Sequence, residues 1–211
     1  PTATISGTGI GNIRPATMSG RIAAVAGGLN DDGKATLFVG TASGGVWRSL
    51  DGGTTFKPVF DRQSVQSIGA VALDPSRPNI VWAGTGEAWT RNSASIGDGI
   101  YKSTDNGDSW THMGLVDSER IAQIIVHPID SDIVYACVPG KLWSDSAARG
   151  LYQAGDGGQA STLVLQRDNM STGCSALSLG ATAPDHMFTA LSAFPLPRRA
   201  FRSGAWLTAH A

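Results

Sequence analysis

Charge is sparse in this 211-residue chain and nowhere bunched. Sixteen Lys and Arg stand against 17 Asp and Glu, for a formal net charge of −1. Without a Lys/Arg run there is no footprint for nucleic-acid phosphates or an anionic membrane surface, so neither is expected as a partner. No apolar run approaches the roughly 18 residues of a membrane span, which excludes helical membrane insertion. No helix-period segment of useful length occurs either, which removes the helical fold classes. Cysteine is limited to Cys137 and Cys174. Both read as small buried hydrophobes, because neither count nor position demands a disulfide, and the redox compartment stays undecided. No secretory leader is visible, and Pro1 reads as a processed or trimmed start. Asn169-Met170-Ser171 is a formal glycosylation sequon and reads as accidental. No cofactor motif is present.

What the chain has is glycine, 27 residues of it, and a repeat. Ser49-Leu50-Asp51-Gly52-Gly53-Thr54-Thr55-Phe56 recurs 54 residues later as Ser103-Thr104-Asp105-Asn106-Gly107-Asp108-Ser109-Trp110. It returns after 51 more, eroded, as Ala154-Gly155-Asp156-Gly157-Gly158-Gln159-Ala160-Ser161. A period of this size ending in a Gly-rich hairpin and an aromatic is the mark of a propeller blade. Gly supplies the positive φ of the corner, and Asp accepts backbone N–H groups of its own loop. Asp51, Asp105 and Asp156 therefore read as structural turn fasteners and not as catalysts. Asp105-Asn106-Gly107-Asp108 is like a calcium loop but lacks the later bidentate Glu, so no metal is assigned.

The remaining strands repeat in step. Ile22–Val25, Ile68–Val71, Ile121–Ile124 and Cys174–Leu177 are equivalent inner strands. Turns rich in Pro, Asn, Asp and Gly follow, then a second apolar strand beginning at Thr36, Ile80, Ile133 and Met187. A third strand at Gly45, Gly99 and Gly150 leads into the hairpin. The expectation is an all-β chain of four-stranded antiparallel blades, three complete and a partial fourth, in an incomplete ring. Residues 1–211 form one propeller segment with repeats of about 16–66, 67–119, 120–172 and 173–211. The fourth repeat reads only to its second strand and then runs into Arg198–Ser203. An unclosed ring exposes apolar seams, so further blades of a parent chain or a second copy are expected as partners.

The Ser/Thr-x-Asp-x-Gly-x-Thr/Ser-Trp/Phe pattern resembles the Asp box, or BNR repeat, of sialidases, sortilin-type receptors and secreted glycoside hydrolases. Residues 9–175 resemble the N-terminal part of secreted bacterial sortilin-like BNR-repeat "glycosyl hydrolase" proteins. Asn12–Ile22, Gly84-Thr85-Gly86-Glu87, Arg91-Asn92-Ser93, Gly97–Ser103 and Ser118–Ile121 carry that resemblance. It implies a secreted, periplasmic or cell-surface protein. The chain departs from the pattern after about residue 153. Ala154, Ala160 and Ser161 stand where Ser, Thr and Trp belong, and the lost aromatic forgoes on the order of 2–3 kcal/mol of burial.

Blade topology puts the loops between second and third strands, and between blades, on one face. The first repeat crosses with Ala42-Ser43-Gly44 alone, whereas the second uses Glu87 to Asp98 and the third Pro139 to Arg149. Function concentrates on long loops. This face gathers Glu87, Trp89, Arg91, Asn92, Asp98, Lys141, Trp143 and Asp145, with Arg21 and Arg120 at the axial mouth. Each Arg reads either as a ligand contact or as the partner of a carboxylate such as Glu87 or Glu119. Trp89 and Trp143 read as sugar platforms or as loop anchors. The first functional reading is a module that recognises a glycan or an extended peptide without chemistry. The second is a glycoside hydrolase, for which Glu87 and Asp98 are the candidate catalytic pair and Asp145 the reserve. A sialidase is less favoured, since no loop tyrosine stands out as a nucleophile. The third reading is a structural, assembly propeller.

Overall fold

The structure, a computed structural model, describes residues 21–29, 33–91, 93–167, 170–180 and 186–193, and the backbone of 206–210. Residues 12–20, the turns at 30–32 and 182–185, Asn92, Asn169 and Arg198–Ser203 lie outside the described residues.

Four antiparallel sheets follow one another along the chain. The first blade is β1 (Ile22–Leu29), β2 (Ala35–Thr41), β3 (Val46–Ser49) and β4 (Lys57–Pro58), hydrogen-bonded in that order. The second is β5 (Ile68–Leu73), β6 (Val81–Thr85), β7 (Ile100–Ser103) and β8 (Thr111–His112). The third is β9 (Gln123–Val126), β10 (Val134–Val138), β11 (Gly150–Ala154) and β12 (Thr162–Leu165). The fourth holds β13 (Thr172–Leu179), β14 (His186–Ala193) and β15 (Trp206–His210). Among the described residues the one helical segment is a 3-10 turn at Val116–Ser118, and no helix is long and apolar enough to cross a membrane.

Three complete blades and a partial fourth agree with the sequence reading. The fourth goes one strand further than that reading allowed. The added strand, β15, pairs through its backbone with β14, from His186↔His210 to Ala190↔Trp206.

Each core lies between blades. Phe38, Val46 and Phe60 of the first blade pack with Ile68, Val71, Val81, Ala83 and Tyr101 of the second. Trp82, Ile100, Ala70 and Ile80 meet Ile121, Ile124, Val126, Val134, Ala136 and Val138 of the third. Tyr135, Cys137 and Leu151 meet Cys174, Leu177, Met187 and Leu191 of the fourth. Strand alternation explains the sharing: in β10, Val134, Ala136 and Val138 face back, while Tyr135 and Cys137 face forward. Middle strands buried on both faces therefore read as unbroken apolar runs. No core cluster among the described residues joins the fourth blade to the first.

One reading of the sequence is corrected here. Cys137 and Cys174 are not free hydrophobes but a disulfide, with Cα atoms 5.1 Å apart. Linear spacing hid it, because the partners sit on the middle strand of one blade and the inner strand of the next. Only stacking of the third and fourth blades brings them together.

The hairpins close each seam from outside. Gly107 lies against Phe38, and Trp110 stacks edge-on to Phe60 at 5.0 Å while its indole N–H donates to the Val59 carbonyl at 2.8 Å. The third strand of the preceding blade reaches over to hold the hairpin. Arg48 donates to the Asn106 carbonyl at 2.6 Å and pairs with Asp108 at 2.8 Å; Lys102 donates to the Gly157 carbonyl at 2.7 Å.

Candidate functional site on the loop face

Backbone dictates the second-blade loop before any side chain does. Gly86 has φ +83° and sits so close to the Glu119 carbonyl that a Cβ there would overlap it. Its N–H donates to the Ser67 carbonyl at 2.8 Å. Only glycine fits, and the next residue, Glu87, is thereby turned into the protein.

Glu87 is buried and holds two arginines: Arg21 in a tight ion pair and Arg91 at 3.4 Å. Both arginines remain partly exposed. A buried carboxylate shared between two guanidinium groups leaves local positive charge in excess by one. Asp98, at the far end of the same loop, is engaged differently. Its Oδ2 accepts the Ser64 hydroxyl at 2.5 Å and the Tyr101 hydroxyl at 2.8 Å. The Thr85 hydroxyl lies 3.2 Å from its Oδ1. Burial first, then Asp98's charge and hydrogen bond, push the Tyr101 phenol up in pKa. Glu87 and Asp98 are thus each occupied by partners of their own.

Arg120 is buried, donating to Glu119 at 2.8 Å and to the Gly140 carbonyl at 3.5 Å. It braces the third-blade loop from beneath. A further arginine, which sequence reasoning treated only as the end of that loop, does most to shape it. Arg149 is fully buried, donates to the carbonyls of Ser171 at 2.9 Å and Ser144 at 2.6 Å, and also reaches that of Lys141. Burial lowers its pKa to about 10, so the guanidinium stays charged at neutral pH. The missed signal was register: Arg149 precedes Gly150 as Asp98 precedes Gly99.

Between these loops lies a cleft of about 790 Å³. Ile96 and Gly97 form one wall, Leu115–Glu119 the floor, and Lys141 with Asp145–Ala148 the other wall. The floor is strained: Leu115 (φ 58°) and Glu119 (φ 53°) are non-glycine residues in the left-handed region, bracketing the 3-10 turn. Such outliers persist where surroundings over-determine them, often at binding sites. Tyr152 at the cleft edge has its pKa raised by burial, with Asp117 adding to it. Trp89 and Trp143, on the two wall loops, are exposed rather than anchored, as are Ile96 and Val116. Among the described residues no group of His, Cys, Asp and Glu could hold a metal ion.

The opposite face carries the Asp hairpins. Asp51 Oδ1 accepts the N–H of Thr54 at 3.0 Å and of Thr55 at 2.9 Å, and Oδ2 the Thr55 hydroxyl at 2.7 Å. Asp105 accepts the Ser109 N–H at 2.8 Å and its hydroxyl at 2.6 Å. These bonds hold both carboxyls down at about 2, led by the Thr55 N–H for Asp51 and the Ser109 hydroxyl for Asp105. In the third hairpin Asp156 receives only the Ala160 N–H, at 3.0 Å from each oxygen.

No protein-family model matches the chain, and no curated protein matches it. Solved structures do. A GH74 enzyme from Niastella koreensis is 20% identical with a TM-score of 0.63 over 96% of this chain and 31% of its own. The GH74 xyloglucanase from Xanthomonas campestris is 18% identical, TM-score 0.61, over 89% and 29%. YCF48 bound to D1 peptide is 14% identical, TM-score 0.54, over 89% and 54%. The chain therefore spans less than a third of the length of these GH74 proteins. At such identities the likeness establishes the β-propeller fold.

Proposed function

We propose that this is a carbohydrate-binding propeller module that holds a glycan chain in the loop-face cleft, with Trp89 and Trp143 of the two bordering loops as sugar platforms. The observation that carries this is a polar cleft between the two longest loops, each of which also bears an exposed indole, Trp89 or Trp143. Exposed Trp offers a flat apolar face to a sugar ring while neighbouring polar groups take its hydroxyls. Asp117, Lys141 and Asp145 supply those groups along the cleft, and Arg21 and Arg91 extend them toward the axis. Glu87 serves as the organiser of the two arginines, and Asp98 as the brace of Tyr101. Both carboxylates are consumed, which argues against them as a glycosidase pair, where one must protonate the leaving group and the other meet water or the sugar. The Asp51, Asp105 and Asp156 hairpins are, in this reading, Asp-box repeats. The Cys137–Cys174 disulfide supports a secreted or periplasmic location, since such bonds persist in oxidising compartments.

Isothermal titration with xyloglucan oligosaccharides and with an extended peptide of matched length tests the reading. Binding of the oligosaccharide, weakened at least tenfold in Trp89→Ala/Trp143→Ala, supports it. Peptide binding alone overturns the glycan assignment. Slow hydrolysis of xyloglucan that survives Glu87→Gln and Asp98→Asn would show that other carboxylates do chemistry. Unchanged affinity in Arg21→Ala/Arg91→Ala would remove the axial end of the site.

A further inference from the structure

A second groove, of about 520 Å³, runs along the rim between the first and second blades. One wall is β4 and the turn after it, through Lys57, Asp61 and Arg62; the other is the second hairpin, through Asp108 and Trp110. Arg48 bridges the two, bonded to the Asn106 carbonyl and to Asp108. Such a volume lies in the range of ligand pockets, roughly 300–1,000 Å³. Both walls come from blades whose four strands are all described, so the groove forms without reference to either end of the chain.

The repeat separates the charges that hold the fold from those that do not. Arg48 and its counterpart Lys102 act alike: each reaches a carbonyl of the next hairpin, that of Asn106 or of Gly157. Lys57, Asp61 and Arg62 answer no such demand. The second blade has Thr111, Leu115 and Val116 in their places, 54 residues later. The third has Thr162 and Gln166, and only the arginine recurs, as Arg167. Lys57, Asp61 and Arg62 are exposed and have no ion-pair partner among the described residues. Three charges of this seam are thus open to a ligand, and two of them are positive.

We propose that this rim groove binds an acidic saccharide, with a uronate carboxylate taken by Lys57 and Arg62 and the sugar ring against Trp110. Charged donors match a carboxylate, and the guanidinium can do so with two parallel bonds. The Trp110 N–H is spent on the carbonyls of Val59 at 2.8 Å and Gly107 at 3.1 Å, so the indole offers the groove an apolar ring. Asp61 and the exposed Asp108 accept sugar hydroxyls. The same two carboxylates repel a phosphate group, which carries about −1.5 to −2 charge at neutral pH. A uronic acid supplies in one ring the monoanion, the hydroxyl donors and the apolar face that these residues fit. The groove shares no lining residue with the loop-face cleft, so its occupancy is independent of that site.

Isothermal titration of the 211-residue chain with trigalacturonate, triglutamate and inorganic phosphate tests it. Wild type should bind trigalacturonate. Lys57→Ala/Arg62→Ala should weaken that binding by about tenfold or more, as for loss of charged hydrogen bonds. Trp89→Ala/Trp143→Ala, on the loop face, should leave it unchanged. Both cations are exposed and unpaired, so the first variant should melt with wild type, which separates lost binding from misfolding. Absence of trigalacturonate binding, equal affinity in Lys57→Ala/Arg62→Ala, or a loss that appears in Trp89→Ala/Trp143→Ala instead overturns the proposal. Triglutamate or phosphate bound as tightly as trigalacturonate would mean that the groove reads charge alone, and overturns the saccharide assignment.

Discussion

The seam between the first and second blades and the seam between the second and third solve one packing problem in opposite ways. In the first, a mid-sized Phe38 on the strand is completed by a large Trp110 on the incoming hairpin. In the second, the hairpin offers only Gly158 and Ser161, and the strand residue has grown to Trp82. The bulk has moved from one side of the interface to the other. Compensation is incomplete: a small gap remains among Trp82, Ile100, Tyr152, Ala154 and Ser161. Packing density is what selection holds near constant across such interfaces, and either partner can supply the volume. An eroded hairpin is therefore not a failed blade.

Deleting the bulk where it now resides should have the largest effect. Trp82→Ala is expected to cost about 3–5 kcal/mol in urea unfolding, as for other buried aromatics. Its counterpart on the other seam, Trp110→Ala, is half-buried and should cost less; the reverse order would break the comparison. Next comes the third seam, which relies on a covalent tie in place of a described hairpin. Cys137→Ala/Cys174→Ala should lose about 2–4 kcal/mol, and hydrogen exchange should rise first in β13 and β14. Equal exchange across all blades would show that the disulfide does not hold the fourth.

The hairpins themselves differ in how they respond to acid. Asp51 and Asp105 have carboxyls near 2, below the ordinary 3.8, so their bonds stabilise the fold fully above about pH 4. That contribution is lost as pH falls through about 2. The melting-temperature gap between wild type and Asp51→Asn/Asp105→Asn should be open at pH 7 and largely closed at pH 2. A gap that does not change with pH would mean that the turns are held by their backbones alone. The smallest effect should come from refilling the eroded hairpin. Ser161→Phe should gain about 1 kcal/mol by covering Trp82, and a loss would mean that Trp82 already leaves no room.

Much of this was legible in the residues. The recurrence of Asp-x-Gly hairpins, the paired apolar strands and the unequal loops dictate blades, their order and the face with long crossings, because each depends on local turn chemistry and period-2 burial. The same reasoning paired Arg21 with Glu87 and Arg120 with Glu119 as one of two options. What it missed has a common cause. The disulfide, the bulk exchange between Ser161 and Trp82, the Arg149 clamp and the strand β15 all involve residues that meet only after blades stack or a loop closes.

The sequence by itself determined the repeat, the turns and the alternation of each strand, since hydrogen bonding and side-chain periodicity act over a few residues. Tertiary structure alone decided which carboxylates are occupied and which indoles stand free. Those outcomes depend on the distance between neighbouring blades, a quantity that no single segment encodes.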